Sequence, residues 1–75
     1  MRPVERALWL IEETRRLGRM QGNVLDKYPD WDRVSAHRYL TKLAQLGWLE
    51  KVNEKGIPVY VLGRKVLALG TDLKL

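Results

Sequence analysis

Residues 32–63, DRVSAHRYLTKLAQLGWLEKVNEKGIPVYVLG, decide the fold. Asp30 or Asp32 caps a helix that runs to residue 46, because a short polar side chain there can accept the first free backbone amides. Ala36, Tyr39, Leu40, Leu43 and Leu46 recur at helical spacing and predict its buried stripe. Gly47 is the C-terminal stop. Residues 48–52 are β-prone, residues 53–56 (Asn-Glu-Lys-Gly) form a turn in which Gly56 supplies a positive φ, and residues 57–62 form the return strand. Pro58 predicts an edge position for that strand, and Tyr60 and Leu62 are expected to face the core.

Towards the N-terminus, Pro3 suits the first turn of a helix over residues 3–17, with Glu5 near its start and Arg15 and Arg16 near its end, as the helix dipole favours. Val4, Ala7, Leu8, Ile11 and Thr14 share one face and predict the inward side, and Gly18 ends the helix. A short second helix is expected over residues 21–28, with Val24, Leu25 and Tyr28 inward, ended by Pro29. After the hairpin, residues 64–69 suit a short closing helix stopped by Gly70, and the tail 71–75 is expected to fray. The order α, α, α, β, β predicts one domain over residues 1–75 with a small, mainly helical α/β fold: a winged helix-turn-helix of three helices plus a β-hairpin wing.

Size and composition narrow the function. Seventy-five residues build a small core with little to spare for a ligand cavity. There is no cysteine and a single histidine, which excludes disulfides, thiolate zinc sites and cysteine nucleophiles and leaves little for any metal. No cofactor is expected. No segment resembles a signal peptide or the roughly 20 apolar residues of a membrane span, so a cytoplasmic, nucleoid-associated protein is expected.

The net charge is +5. Residues 1–25 hold five Arg against three Glu, residues 26–50 balance, and residues 51–75 hold five bases against two acids. A basic domain attracts polyanions and releases their counterions, although charge alone does not separate this from a solvated basic surface.

On the helix of residues 32–46, Val34, His37, Arg38, Thr41 and Gln45 lie opposite Ala36. In a helix-turn-helix the N-terminal turn of the second helix goes deepest into the major groove, so Arg33, Val34, Ser35, His37 and Arg38 are the candidates for base edges. Thr41 and Lys42, and Lys51 and Lys55 of the wing, are placed for phosphate. Each has a plainer reading. Arg33, Arg38 and Lys42 suit any surface helix, and Ser35 can simply serve the helix cap. His37 has no carboxylate four residues away, which disfavours a general base.

Glu12 and Glu13 diverge by helical geometry, Asp30 and Asp32 are explained as caps, and no glycine-rich phosphate loop is present, so no enzyme is expected. Tyr28, Trp31, Tyr39, Trp48 and Tyr60 read as core fillers. Trp9 falls on the far side of the first helix, flanked by Leu10 and Leu17, and these three are the candidate homodimer interface.

These pieces together resemble a known family. Residues 4–8 (VERAL), 36–43 (AHRYLTKL), 46–50 (LGWLE), 60–63 (YVLG) and 67–70 (LALG) are similar, in order, to the DNA-binding domain of IclR-type bacterial transcription regulators. The resemblance implies a dimeric regulator whose recognition helix reads operator DNA through Arg33, Val34, Ser35, His37 and Arg38. Val34 replaces a small polar residue of the family, and residues 20–30 depart from its first motif helix. The family adds a ligand-sensing domain. Here the chain stops at Leu75, so it is either a fragment or a stand-alone DNA-binding protein; the Met1 start favours the second reading, in which no small-molecule effector is expected. The expected function is sequence-specific binding of double-stranded DNA by a small transcriptional regulator. Two alternatives stand beside it: a winged helix used for contact with RNA polymerase or a replication protein, and non-specific architectural DNA binding.

Overall fold

The computed structural model describes residues 2–72. Helix α1 spans Pro3–Leu17, a 3₁₀ helix spans Gly22–Lys27, and helix α2 spans Arg33–Leu46. Strands β1 (Leu49–Glu54) and β2 (Ile57–Leu62) form an antiparallel hairpin, and helix α3 (Arg64–Asp72) follows. The architecture is a small, mostly helical α/β fold in which a two-stranded hairpin follows the first helices.

Local chemistry explains each boundary. Asp32 is the cap of α2: its carboxylate accepts the Ser35 amide at 2.7 Å and the Ser35 hydroxyl at 3.0 Å. At the other end Gly47 takes φ 89, and the Trp48 amide donates back to the Leu43 carbonyl at 2.9 Å, the long bond of a Schellman closure. The second helix is 3₁₀, closed by three-residue bonds such as Val24 N–H to the Gln21 carbonyl at 3.1 Å. Tyr28 is already extended ahead of Pro29, so no α-helical turn can develop. The hairpin loop is only Lys55-Gly56, with φ 51 and 81, so Asn53 and Glu54 belong to β1. Two positive φ values match the right-handed twist of the flanking strands. Helix α3 passes Gly70 and reaches Asp72, and the rest of the expected frayed tail, residues 73–75, lies outside the described residues.

The core gathers Leu10, Met20, Leu25, Trp31, Ala36, Leu40, Leu43, Leu49 and Tyr60. Trp9 packs edge-on to Tyr28 at 4.9 Å between centroids, and Trp31 packs edge-on to Tyr39 at 5.4 Å. The Arg6 guanidinium stands 4.9 Å from the Trp31 ring centroid.

This packing corrects the expected orientation of α1. Leu10 is fully buried and Trp9 is half-buried among aromatics, whereas Val4 and Leu8 are 70% and 62% exposed. Leu10 therefore has no surface to offer a second chain, and only Leu17 of the three expected interface residues is exposed. The physical reason is payload: a Trp and a Leu beside Tyr28 and Trp31 bury more apolar area than Val4 and Leu8 would. Thr14 joins the buried face because its hydroxyl donates to the Leu10 carbonyl at 2.7 Å, which removes the cost of burying it. Leu46, expected inside, is 44% exposed, while Val59 is fully buried and Leu62 half-buried.

Strand β2 has a second neighbour. Met20 pairs with Tyr60 through two backbone hydrogen bonds, 2.7 and 2.8 Å, on the side away from β1. At Tyr60 the strand is central and not an edge. Residues two apart aim their amides to the same side, so Pro58 faces beyond that one-residue bridge and its missing N–H costs no ladder bond.

Candidate functional site

Helix α2 presents an outward face that is exposed except at the half-buried Thr41. Val34, His37, Arg38, Thr41, Lys42 and Gln45 line a single shallow depression along it. Ala36, Leu40 and Leu43 hold the opposite side in the core, which fixes the rotation of the helix. The cap at Asp32 fixes its first turn. The Ser35 amide and then its hydroxyl hold the Asp32 carboxyl below its ordinary value, so it stays ionised beside the positive end of the helix dipole. Ser35 is spent on this cap and does not line the outward depression. Arg33 projects almost entirely into solvent, yet its guanidinium lies 3.5 Å from Asp26 of the 3₁₀ helix.

Lys51 of β1 stands beside α2. It lines a cleft of about 250 Å³ together with Arg33, His37, Asp26 and Tyr60. A second open groove, of about 590 Å³, runs between Thr41 and Gln45 of α2, Lys51 of β1, and Arg64 and Lys65 of α3. Lys55 is not part of either: at the hairpin tip it shares a separate groove with Arg19, Gln21, Glu54 and Ile57. The structure thus brings Arg33, His37 and Lys51 together, sets Val34, His37, Arg38, Thr41 and Lys42 along one outward face, and leaves Lys55 apart.

The cations divide into two groups. Those of α1 are neutralised locally: Arg15 pairs with Glu12, and Arg16 pairs with Glu13 at 2.7 Å. These guanidiniums hold both carboxyls below their ordinary values. Arg19 pairs with Glu54 at 2.6 Å and braces the hairpin against the end of α1. Among the described residues, Arg38, Lys42, Lys51, Lys55 and Arg64 form no ion pair. These cations thus lie on α2, the hairpin and the start of α3.

Comparison with protein-family models, with curated proteins and with solved structures returned no match. The chemistry of the site then rests on its own residues. The α2 face offers a guanidinium, an imidazole, a hydroxyl, an amide, an ammonium and one apolar cap, a set able to make directional hydrogen bonds and methyl contacts with a flat, polar target. Among the described residues no group of His, Cys, Asp or Glu is arranged to hold a metal ion, and no helix is long and apolar enough to cross a membrane.

Sequence reasoning missed Arg64 and Lys65 as site residues. They follow the last strand as an ordinary Arg-Lys pair, and only the close approach of Gly63 to Gly47 and Trp48 brings them beside α2.

Proposed function

We propose that this chain binds double-stranded DNA in a sequence-specific manner as a winged helix-turn-helix. In this reading α2 lies in the major groove and the hairpin acts as the wing. The observation that carries it is the outward face formed by Val34, His37, Arg38, Lys42 and Gln45 with the half-buried Thr41 among them, set on a helix whose opposite side is locked in the core, with Lys51 and Arg64 nearby and in no ion pair among the described residues. A major groove about 12 Å wide admits one such helix, and Arg38 and His37 near its exposed N-terminal half are placed for base edges. Val34 is two-thirds exposed, an apolar group suited to a thymine methyl. Arg33 must release Asp26 before it can reach a base, and Ser35 contributes through the cap, so the base-reading set centres on Val34, His37 and Arg38.

This reading keeps the likeness to the DNA-binding module of IclR-type regulators as a proposal, with the 3₁₀ helix at Gly22–Lys27 standing where the short second helix was expected. A small transcriptional regulator is the role this reading assigns. A homodimer fits it through Val4 and Leu8, which with Leu17 are the exposed large apolar residues of α1, in place of Trp9 and Leu10. The same pair is what a protein-contact module would use, and that reading predicts that Arg38 is dispensable.

Fluorescence anisotropy with matched duplex and single-stranded DNA tests the proposal. Preferential binding of the duplex, lost in Arg38→Ala, supports it. Binding to neither form overturns it in favour of a protein partner.

A further inference from the structure

We propose that the groove between the C-terminal half of α2, β1 and the start of α3 seats the sugar–phosphate backbone of the DNA strand bordering the major groove, with Lys51, Arg64 and Lys65 as its phosphate ligands. The inference rests on the duplex-DNA reading of α2 and extends the contact surface to a third element.

Three observations carry it. The groove is continuous with the α2 ridge, because Thr41 and Gln45 line both. Its charge is lopsided: Lys51, Arg64 and Lys65 face a single acid, Glu50. Its far wall is also rigid. Gly63 donates to the Trp48 carbonyl at 2.8 Å and Lys65 N–H donates to the Gly47 carbonyl at 3.1 Å, which fasten the start of α3 to the end of α2. The Lys65 methylenes lie against Gly47, and its ammonium is held 5.4 Å from the Trp48 ring centroid. A cation fixed in this way loses less side-chain freedom on meeting an anion than a lysine waving in solvent.

Scale supplies the rest. A helix about 10 Å across nearly fills a major groove about 12 Å wide, so the elements packed directly beside it meet the phosphates that bound the groove. Phosphate contacts of this kind set register and orientation and carry no base preference.

The test is the salt dependence of binding to a short mixed-sequence duplex, measured for the wild type, Arg64→Gln, Lys65→Gln and Lys65→Arg. The expected result is a log–log slope shallower by about 0.9 for each of the two Gln variants, with base preference unchanged and the Lys65→Arg slope retained. Arg64 is exposed and forms no ion pair among the described residues, so Arg64→Gln decides the matter even if Lys65→Gln unsettles the fold. A wild type that binds duplex while Arg64→Gln keeps its full slope overturns the groove assignment alone. A wild type that binds no duplex overturns the reading of α2 and the groove with it.

Discussion

Met20 and Tyr60 exchange both of their backbone hydrogen bonds, at 2.7 and 2.8 Å, although the whole of α2 and β1 lies between them in sequence. This bridge fastens the turn after α1 to the middle of β2. Arg19, the preceding residue, adds its ion pair to Glu54 near the hairpin tip. The hairpin is thus tied to the rest of the fold at two further points, which favours a fixed angle between α2 and Lys51. Preorganisation of that kind lowers the ordering cost of binding.

Gly63 is the most tightly enclosed of the described glycines. A Cβ there would sit 2.3 Å from the Gly47 carbonyl oxygen and 2.6 Å from the Trp48 carbonyl carbon, both backbone atoms that cannot swing away. Gly63→Ala is expected to cost roughly 3 kcal/mol, read as a fall in Tm or loss of folding. An unchanged Tm contradicts the close approach that positions α3.

Trp9→Ala separates the observed orientation of α1 from the one its sequence favours. Trp9 contacts Tyr28 and Trp31, so its removal is expected to destabilise the fold by roughly 2–4 kcal/mol in denaturant titration. Sedimentation of the folded fraction is expected to match the wild type. A lighter species with unaltered stability contradicts this packing.

Much of the fold was legible, and α1 shows where legibility ended. Capping residues, glycine stops and the Lys55-Gly56 turn act locally, so Asp32, Gly47 and Gly56 carry their signals in the sequence itself. The rotation of α1 does not: Val4, Ala7, Leu8, Trp9, Leu10 and Ile11 place apolar groups nearly all round the helix, and only the aromatic cluster of Tyr28 and Trp31 selects the buried side. The Met20 bridge is one residue long and has no alternation to read. At the candidate site, the outward face of α2 follows from periodicity. The capture of Ser35 by Asp32 and the arrival of Arg64 and Lys65 depend on side-chain and tertiary contacts that spacing does not encode.

Asp32→Ala probes the α2 cap and its titration. A carboxyl whose pKa is depressed in the folded protein stabilises the fold above its unfolded pKa, and that contribution disappears as pH falls through the folded value. The variant is expected to melt about 5 °C below the wild type near pH 6, with the gap narrowing once the pH falls below the ordinary aspartate value of about 3.9. A gap that persists undiminished in acid shows that the charge of Asp32 plays no part in the cap.

Arg38 and Lys55 are expected to differ in kind. Arg38→Ala is expected to lose roughly 1–3 kcal/mol of specific binding and to relax base preference. Lys55→Asn keeps a residue that tolerates the positive φ of the turn and removes only the charge. It is expected to weaken all duplexes equally and to flatten the salt slope by about 0.9. Retention of the full slope in Lys55→Asn places the hairpin tip away from the DNA, in keeping with its separate groove beside Arg19.

Selection of binding sites from random duplex DNA at moderate salt tests the central claim most directly. The account predicts recovery of a defined motif, arranged as two half-sites about one helical turn apart if the chain pairs through Val4 and Leu8, and loss of that motif in Arg38→Ala. Retention of DNA without any motif, or no retention at all, contradicts sequence-specific reading by α2.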